Sequence, residues 1–242
     1  MKTTLKLFLV LFLFSLGAQA QNSTAWRGGT NGIYPDKGLM KTWPQSGPEI
    51  LWTFQGLGLG HSSPVFAMGK IFISTTIEST GYVFILSIDG KEIKRYAYGE
   101  EFIESWPGTR STPVIVDNTL YIYSGLGVIS AFDAMEGKLL WKKEMLGGDA
   151  ENIRWGVTET LVVDGEVLYC CPGGKTNNVV ALDRKNGNMI WSCPGLGEAA
   201  AYNTPVLINF PTRKILVTMM ASHILGIDAK TGKLLWNFEQ PN

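Results

Sequence analysis

Short apolar runs separated by turn residues recur along the chain at a nearly fixed distance. Four of them, rich in Val, Ile, Leu, Tyr and Phe, occupy residues 70–74, 119–123, 166–170 and 214–218. Gly, Asp and Asn punctuate these runs, which is typical of β-strands joined by turns. No segment keeps a sustained apolar period of 3.6 residues, so the pattern predicts almost no helix.

A second pattern closes each repeat, with the form small residue-x-Asp-x-x-x-Gly-x-x-x-Trp. The successive Asp residues are 50 and 45 residues apart. A degenerate earlier copy at residues 87–91 has a shortened turn and no Trp. The three full copies contain Asp133, Gly137 and Trp141, then Asp183, Gly187 and Trp191, then Asp228, Gly232 and Trp236.

Each repeat therefore predicts four short antiparallel strands, and about 45 residues with four strands is the signature of a β-propeller blade. In this interpretation the Gly adopts a positive φ and the Asp accepts hydrogen bonds from backbone N–H groups of its own turn. The Trp packs between neighbouring sheets. We expect the same docking role for Trp52.

The number of strands predicts an incomplete ring. Residues 50–54 resemble an outer strand similar to residues 234–238, although all four repeats have outer strands of their own. The simplest explanation is that the chain covers part of a larger ring. A complete four-blade ring is the alternative, and it would leave residues 50–54 unpaired.

The first twenty residues predict a secretory signal peptide. Lys2 and Lys6 precede an apolar run of ten residues at 7–16, and Ala18-Gln19-Ala20 follows it. The alternative is a membrane anchor, but a span needs roughly 20 residues. We therefore divide the chain into a signal peptide (1–20), a lead-in with a ring-closing strand (21–62) and partial-ring blades (63–242), and we expect a periplasmic or secreted product.

Charge and cysteine content narrow the functional classes. Loss of Lys2 and Lys6 with the leader leaves 19 basic and 21 acidic side chains, a net charge of −2. That balance provides neither the excess of basic residues typical of nucleic-acid binding nor a polybasic patch for a membrane surface. No later stretch is apolar enough to span a bilayer. Three cysteines, Cys170, Cys171 and Cys193, fit buried small side chains better than a disulfide framework.

The Asp-to-Trp repeat resembles the tryptophan-docking motif of the pyrroloquinoline-quinone (PQQ)-like β-propeller superfamily, which includes quinoprotein alcohol dehydrogenases and BamB-like assembly proteins. The resemblance spans residues 26–238 and implies an eight-bladed ring, about half of it present. Further stretches that carry it are Trp26-Arg27-Gly28-Gly29, Gly38-Leu39, Trp43-Pro44, Arg110-Ser111-Thr112-Pro113, Trp155-Gly156 and Pro172-Gly173-Gly174-Lys175.

The resemblance implies PQQ with Ca²⁺ as a conceivable cofactor, but we match no Ca²⁺-ligand set and no catalytic base to this sequence. Some quinoprotein dehydrogenases carry a vicinal disulfide, which draws attention to Cys170-Cys171. Adjacent strand residues point to opposite faces of a sheet, which disfavours such a bridge here. His61 and His223 lie in different repeats without metal-site spacing. We therefore assign no catalytic residue and no metal ligand.

A binding role is the main alternative to catalysis, because loops on rigid scaffolds carry function. The two arginines of the candidate set could pair with carboxylate or sulfate groups, or the set could brace neighbouring blades. A scaffold for periplasmic proteins is a third hypothesis. We predict a non-catalytic binding or scaffold module for a small ligand or periplasmic protein, with a quinoprotein-type oxidoreductase as the alternative. The ligand-binding candidates are His61, Trp106, Arg110, Arg154, Trp155, Lys175 and Tyr202.

Overall fold

A computed structural model describes residues 24–29, 32, 38, 40–151 and 154–240. The predicted signal peptide, its cleavage point before Gln21 and Leu39 of the lead-in lie outside the described residues. No helix within the described ranges is long and apolar enough to cross a bilayer. The helical content of the same ranges is one 3₁₀ turn, Trp26–Gly29.

Within the described part of the chain, sixteen strands form four separate sheets. Sheet 1 contains β1 Val65–Ala67, β2 Lys70–Ile77, β3 Thr80–Ser87 and β4 Glu92–Glu100. Sheet 2 contains β5 Val114–Val116, β6 Thr119–Tyr123, β7 Val128–Asp133 and β8 Leu139–Glu144. Sheet 3 contains β9 Val162–Asp164, β10 Val167–Cys170, β11 Val179–Asp183 and β12 Met189–Cys193. Sheet 4 contains β13 Val206–Asn209, β14 Lys214–Met219, β15 His223–Asp228 and β16 Leu234–Glu239.

Within each sheet the strands follow chain order and pair antiparallel with their neighbours. The predicted second strands are confirmed, since residues 119–123 coincide with β6 and the other three runs overlap β2, β10 and β14. Because each sheet is an antiparallel meander, its two ends differ. We call the end where chain segments pass from one sheet to the next the linker end, and the opposite end the turn end.

Alternate residues of one strand pack into opposite sheet interfaces, which explains the continuous apolar runs. On β6, Leu120 and Ile122 belong to the core shared with sheet 1, whereas Tyr121 and Tyr123 belong to the core shared with sheet 3. A third core joins sheets 3 and 4. The four sheets therefore stack side by side in chain order.

The Asp and Gly of each repeat adopt the predicted turn. Asp133 Oδ1 accepts hydrogen bonds from the N–H groups of Met135 and Glu136 at 3.0 and 2.7 Å. Asp183 and Asp228 accept equivalent bonds within their own turns. The turn glycines have φ values of 66°, 72° and 73° in chain order, which lie in the left-handed region.

The ring of each outer strand lies on the Asp-to-Gly turn of the following sheet. Trp141 donates from Nε1 to Arg184 O at 2.9 Å and covers Gly187 closely enough that a Cβ there would lie 2.8 Å from the indole. Trp191 donates to Ala229 O at 3.1 Å and covers Gly232 in the same way. Each indole thus spans one sheet interface at the turn end.

The degenerate first repeat uses Tyr96 in place of Trp. This ring covers Gly137, and its hydroxyl donates to Ala134 O at 3.3 Å. Trp52, from the lead-in, covers Gly90 of sheet 1 and donates to Ile88 O at 2.9 Å. A tyrosine two residues further along the outer strand than the repeated Trp therefore makes the contact that the sequence pattern attributed to Trp alone.

Two segments at the ends of the stack lack the neighbouring sheet that their predicted roles require. Residues 50–54 form no strand, because none of the described strands lies beside them to complete a ladder, although Trp52 keeps its contact with sheet 1. Trp236 is 41% exposed, because no sheet of the described residues covers its face of sheet 4. Its ring lies over Gly226 of its own sheet instead.

Candidate functional site

The linker end gathers most of the polar chemistry. Three linkers cross it, at residues 101–113, 145–161 and 194–205. The loops after β6, β10 and β14 lie at the same end, because every second strand of an antiparallel meander returns to it. Side chains that are distant in sequence therefore meet here.

Hydrogen bonds connect, from sheet to sheet, the residues that lie two positions before each of the four inner strands. Ser63 N donates to Thr112 Oγ1 at 3.0 Å, and Thr112 N donates to Thr160 Oγ1 at 3.1 Å. Thr160 N donates to Thr204 Oγ1 at 3.1 Å. We call these four residues the hydroxyl belt. It fixes the inner ends of all four sheets relative to one another.

A buried glutamate, Glu101, lies behind the belt at the interface of sheets 1 and 2. Its Oε2 accepts from the N–H groups of Phe102 and Gly125, each at 2.9 Å, and its Oε1 accepts from the Tyr98 hydroxyl at 2.6 Å. Burial raises the pKa of Glu101 above its usual value, and these three hydrogen bonds oppose the rise. Both carboxyl oxygens of this residue are therefore satisfied.

A second buried glutamate, Glu159, lies at the interface of sheets 2 and 3 and is only half satisfied. Its Oε2 accepts from Cys171 N at 2.9 Å, but its Oε1 has no hydrogen-bond partner among the described residues. Burial raises the pKa of Glu159 from 4.5 to about 8. Burial therefore favours the protonated carboxyl, since a charge in this position would be poorly solvated.

The first linker supports an exposed tryptophan beside an anchored arginine. Trp106 is 76% exposed, and its backbone φ of 45° is unusual for a large side chain. Arg110 Nη2 donates to the carbonyls of Trp106 and Ser105 at 2.6 and 2.9 Å. The guanidinium also lies 5.4 Å from the centre of the Phe102 ring. These contacts hold Trp106 outward.

The next two linkers bring Arg154, Trp155 and Tyr202 to the same place. The rings of Trp155 and Tyr202 are 5.1 Å apart, and Trp155 N donates to the Tyr202 hydroxyl at 3.2 Å. The Arg154 guanidinium lies 5.3 Å from the centre of the Trp155 ring. The backbone carbonyl of Arg154 accepts from Ser105 Oγ at 3.5 Å. Because Arg110 also binds the Ser105 carbonyl, Ser105 connects the first linker to the second. We call Trp106, Arg110, Arg154, Trp155 and Tyr202 the linker patch.

The two other predicted ligand-binding residues lie at the linker end but outside this patch. His61 N donates to Thr109 O at 2.7 Å, directly before Arg110. Lys175 follows Gly174, whose N–H donates to Glu198 O at 2.9 Å. Within the described ranges, no hydrogen bond or ring contact joins either side chain to the linker patch. Five of the seven candidates therefore come together and two do not.

A cavity of about 580 Å³ lies along the inner strands of sheets 2, 3 and 4. Its walls include Val114, Val162 and Val206 from those strands, together with Trp26 and Arg27 of the lead-in. The lead-in reaches this position because Ile115 N donates to Thr24 O at 2.8 Å. None of the seven candidate residues lines the cavity, so the predicted binding residues and the cavity are separate features.

The described residues can be compared with the ligand set that a metal-held quinone needs. No group of three or more His, Cys, Asp or Glu side chains in the described part of the chain is placed to hold a metal ion. Cys170 and Cys171 are buried free thiols that face opposite interfaces, as their adjacent strand positions predict. Burial raises the pKa of both thiols well above the usual range, which makes them poor nucleophiles.

Sequence reasoning missed the two buried glutamates and the hydroxyl belt. The belt had a signal, because Ser or Thr opens each of the four inner-strand segments. Glu159 had none, since the equivalent position three residues before each inner strand holds Ser62, Ser111 and Asn203 in the other repeats. A residue that breaks a repeat in only one copy gives no periodic pattern.

Residues 42–242 match the protein family described as outer membrane protein assembly factor BamB. The chain belongs to this family. A BamB of Kangiella koreensis is 28% identical over 52% of this chain and 28% of its own length. The dehydrogenase subunit of a quinone alcohol dehydrogenase from Komagataeibacter europaeus is 25% identical over 54% of this chain and 20% of its own length.

Two solved structures share the fold of this chain. The crystal structure of BamB from Moraxella catarrhalis matches with a TM-score of 0.51 and 18% identity, over 72% of this chain and 47% of that one. A europium-containing methanol dehydrogenase matches with a TM-score of 0.53 and 14% identity, over 75% and 42%. The chain is thus a PQQ-like repeat β-propeller of about four blades, and it spans less than a third of the two curated relatives described above.

Proposed function

We propose that this protein is an exported, non-catalytic binding or scaffold module that holds a protein partner through the linker patch. The observation that carries the proposal is the patch itself, where Trp106 is 76% exposed and Trp155 and Tyr202 are 40% and 43% exposed beside two arginines. Trp, Tyr and Arg are the residues that most often dominate binding energy at protein interfaces.

Two further observations support a protein partner in the cell envelope. The family description names outer membrane protein assembly, and the first twenty residues have the form of a secretory leader. The patch is also rigid for a loop surface, because backbone carbonyls anchor Arg110 and Tyr202 binds the backbone of Trp155. A rigid surface loses little conformational entropy when it binds.

The test is capture from an envelope extract by the immobilised protein, followed at increasing salt. We expect a specific, salt-resistant partner whose capture falls at least about tenfold in W106A and in R154A, as for interface anchors. Phe210→Ala is the matched control, because Phe210 is an exposed aromatic at the turn end. Equal capture by all four proteins, or complete elution at moderate salt, contradicts the proposal.

A quinoprotein-type oxidoreductase is the second candidate, and the similarity to the quinone alcohol dehydrogenase subunit favours it. The residues described here provide no metal-ligand group for such a cofactor. We test this candidate by incubating the full-length protein with PQQ and Ca²⁺ and measuring absorbance and dye reduction with several alcohols and sugars. Saturable cofactor binding with turnover supports the enzyme and contradicts the non-catalytic proposal.

A further inference from the structure

The second linker ends in a short segment, residues 156–161, that is bonded to three sheets. Val157 N donates to Gly125 O of sheet 2 at 3.0 Å. Thr160 belongs to the hydroxyl belt and contacts sheets 2 and 4. Glu159 lies between them and accepts from Cys171 N of sheet 3. We call residues 156–161 the linker tail; it directly follows Arg154 and Trp155.

Among the described residues, no cationic side chain pairs with Glu159. The titratable groups around it are Tyr123 on β6, and Cys170 and Cys171 on and after β10. The charge of Lys143 on β8 lowers the pKa of Cys170, and Cys193 on β12 raises the pKa of Cys171. No salt bridge among the described residues includes Glu159, and its Oε1 and the Tyr123 hydroxyl are both buried without a hydrogen-bond partner there.

Glu101 and Glu159 are both buried, but they accept different numbers of hydrogen bonds. Its two oxygens accept three hydrogen bonds, from two N–H groups and a tyrosine hydroxyl. Glu159 accepts one, from Cys171 N. A carboxylate at Glu159 would therefore lose hydration without equivalent replacement, whereas a neutral carboxylic acid would lose far less.

We propose that Glu159 is a pH-sensing carboxyl that keeps the linker tail docked while it is protonated and loosens it as it ionises. Any effect of this opening on partner binding rests on the function proposed above for the linker patch. The docking of the tail itself does not depend on that function.

The direction of the effect follows from linkage. Burial raises the pKa of Glu159 from 4.5 to about 8, so the docked state binds a proton that the undocked state releases. The docked state is favoured most below pH 4.5, loses stability as pH rises from there toward 8, and changes little above 8. Opening of the tail should increase by up to about tenfold per pH unit within that window.

Hydrogen exchange of the Val157 and Thr160 amides, corrected for the intrinsic pH dependence of exchange, measures this opening. We expect wild-type opening to rise by roughly a hundredfold between pH 5.5 and 7.5, and E159Q to remove most of the rise because its side chain stays neutral. Glu101 is unchanged between the two proteins, so its own titration cancels. E104Q is the matched control, since Glu104 is exposed on the first linker.

The proposal is overturned if E159Q and wild type show the same pH dependence, or if E104Q abolishes it equally. A second measurement on the wild type covers the case in which E159Q does not fold. The side-chain carboxyl carbon of Glu159, followed by NMR, should titrate well above pH 6, and a midpoint near 4.5 overturns the proposal. Neither experiment contains a binding partner. Failure of the partner-capture test would therefore not change the conclusion drawn about Glu159.

Discussion

Trp191 and Trp236 occupy equivalent positions in successive repeats but have different surroundings. Trp191 lies on the turn of sheet 4, with its indole nitrogen bonded to Ala229 O and its ring over Gly232. Trp236 has no indole hydrogen bond among the described residues and is 41% exposed. The comparison shows that the repeated motif acts across two sheets, because one sheet supplies the ring and the next supplies the turn.

Other side chains on the same face of sheet 4 are exposed as Trp236 is. Strand registers place Val206, Ile208, Trp236 and Phe238 on one face of this sheet, and all four are exposed by 37% or more. Leu216, Leu225 and Ile227 of the opposite face are fully buried against sheet 3. One sheet therefore has a covered and an uncovered face, although both are apolar in sequence.

Removal of the ring at a covered interface should have the largest effect. We expect Trp191→Ala to lower the free energy of unfolding by about 3–5 kcal/mol, because it removes a large packed side chain and its hydrogen bond. Chemical denaturation followed by circular dichroism measures the change. A loss below about 1 kcal/mol would show that the indole does not hold sheets 3 and 4 together.

Substitution of the turn glycine should separate ring contact from backbone strain. Gly187 and Gly165 both have positive φ, at 72° and 57°, but only at Gly187 would a Cβ meet a ring, Trp141, at 2.8 Å. We expect Gly165→Ala to cost about 1 kcal/mol from strain alone, and Gly187→Ala to cost about 2–3 kcal/mol because overpacking is added. Equal costs would argue against a close ring contact at Gly187.

The hydroxyl belt should contribute less than the rings at each interface. Thr112→Val removes the acceptor of the Ser63 N–H group and should cost about 1–2 kcal/mol, since a partly buried donor is left unpaired. Thr119→Val is the control, because the described contacts of Thr119 on β6 include no side-chain hydrogen bond. A cost at Thr112 equal to that at Thr119 would show that the belt bond adds nothing.

Trp236→Ala should give the smallest effect, about 1 kcal/mol or less, because the ring covers only its own sheet and is partly in water. The measurement is the same denaturation experiment. A loss as large as that of Trp191→Ala would mean that another surface covers this ring in solution.

The fold was predictable because its determinants are periodic. The second strand at residues 119–123 follows from a pattern that recurs in all four repeats, and the Asp133 turn and the positive φ of Gly137 follow from one that recurs in three. The non-strand at residues 50–54 was not predictable from local composition, since a strand also needs a neighbour to pair with.

The candidate site was predictable only in part. Exposed aromatic residues and arginines in inter-strand loops led to the five residues of the linker patch, but loops carry no period that fixes their contacts. His61 and Lys175 share the composition of the patch without sharing its position. Glu159 breaks the repeat in a single copy, so only three-dimensional packing reveals that it is buried with one unpaired oxygen.

Hydrogen exchange of the individual indole N–H groups, resolved by NMR with single Trp→Phe variants for assignment, tests the central claim most directly. Stacked sheets joined by rings predict that the indoles of Trp141 and Trp191 exchange at least about tenfold more slowly than that of Trp236, because only the first two donate to a carbonyl of the next sheet. Equal exchange rates for the three indoles would contradict the account.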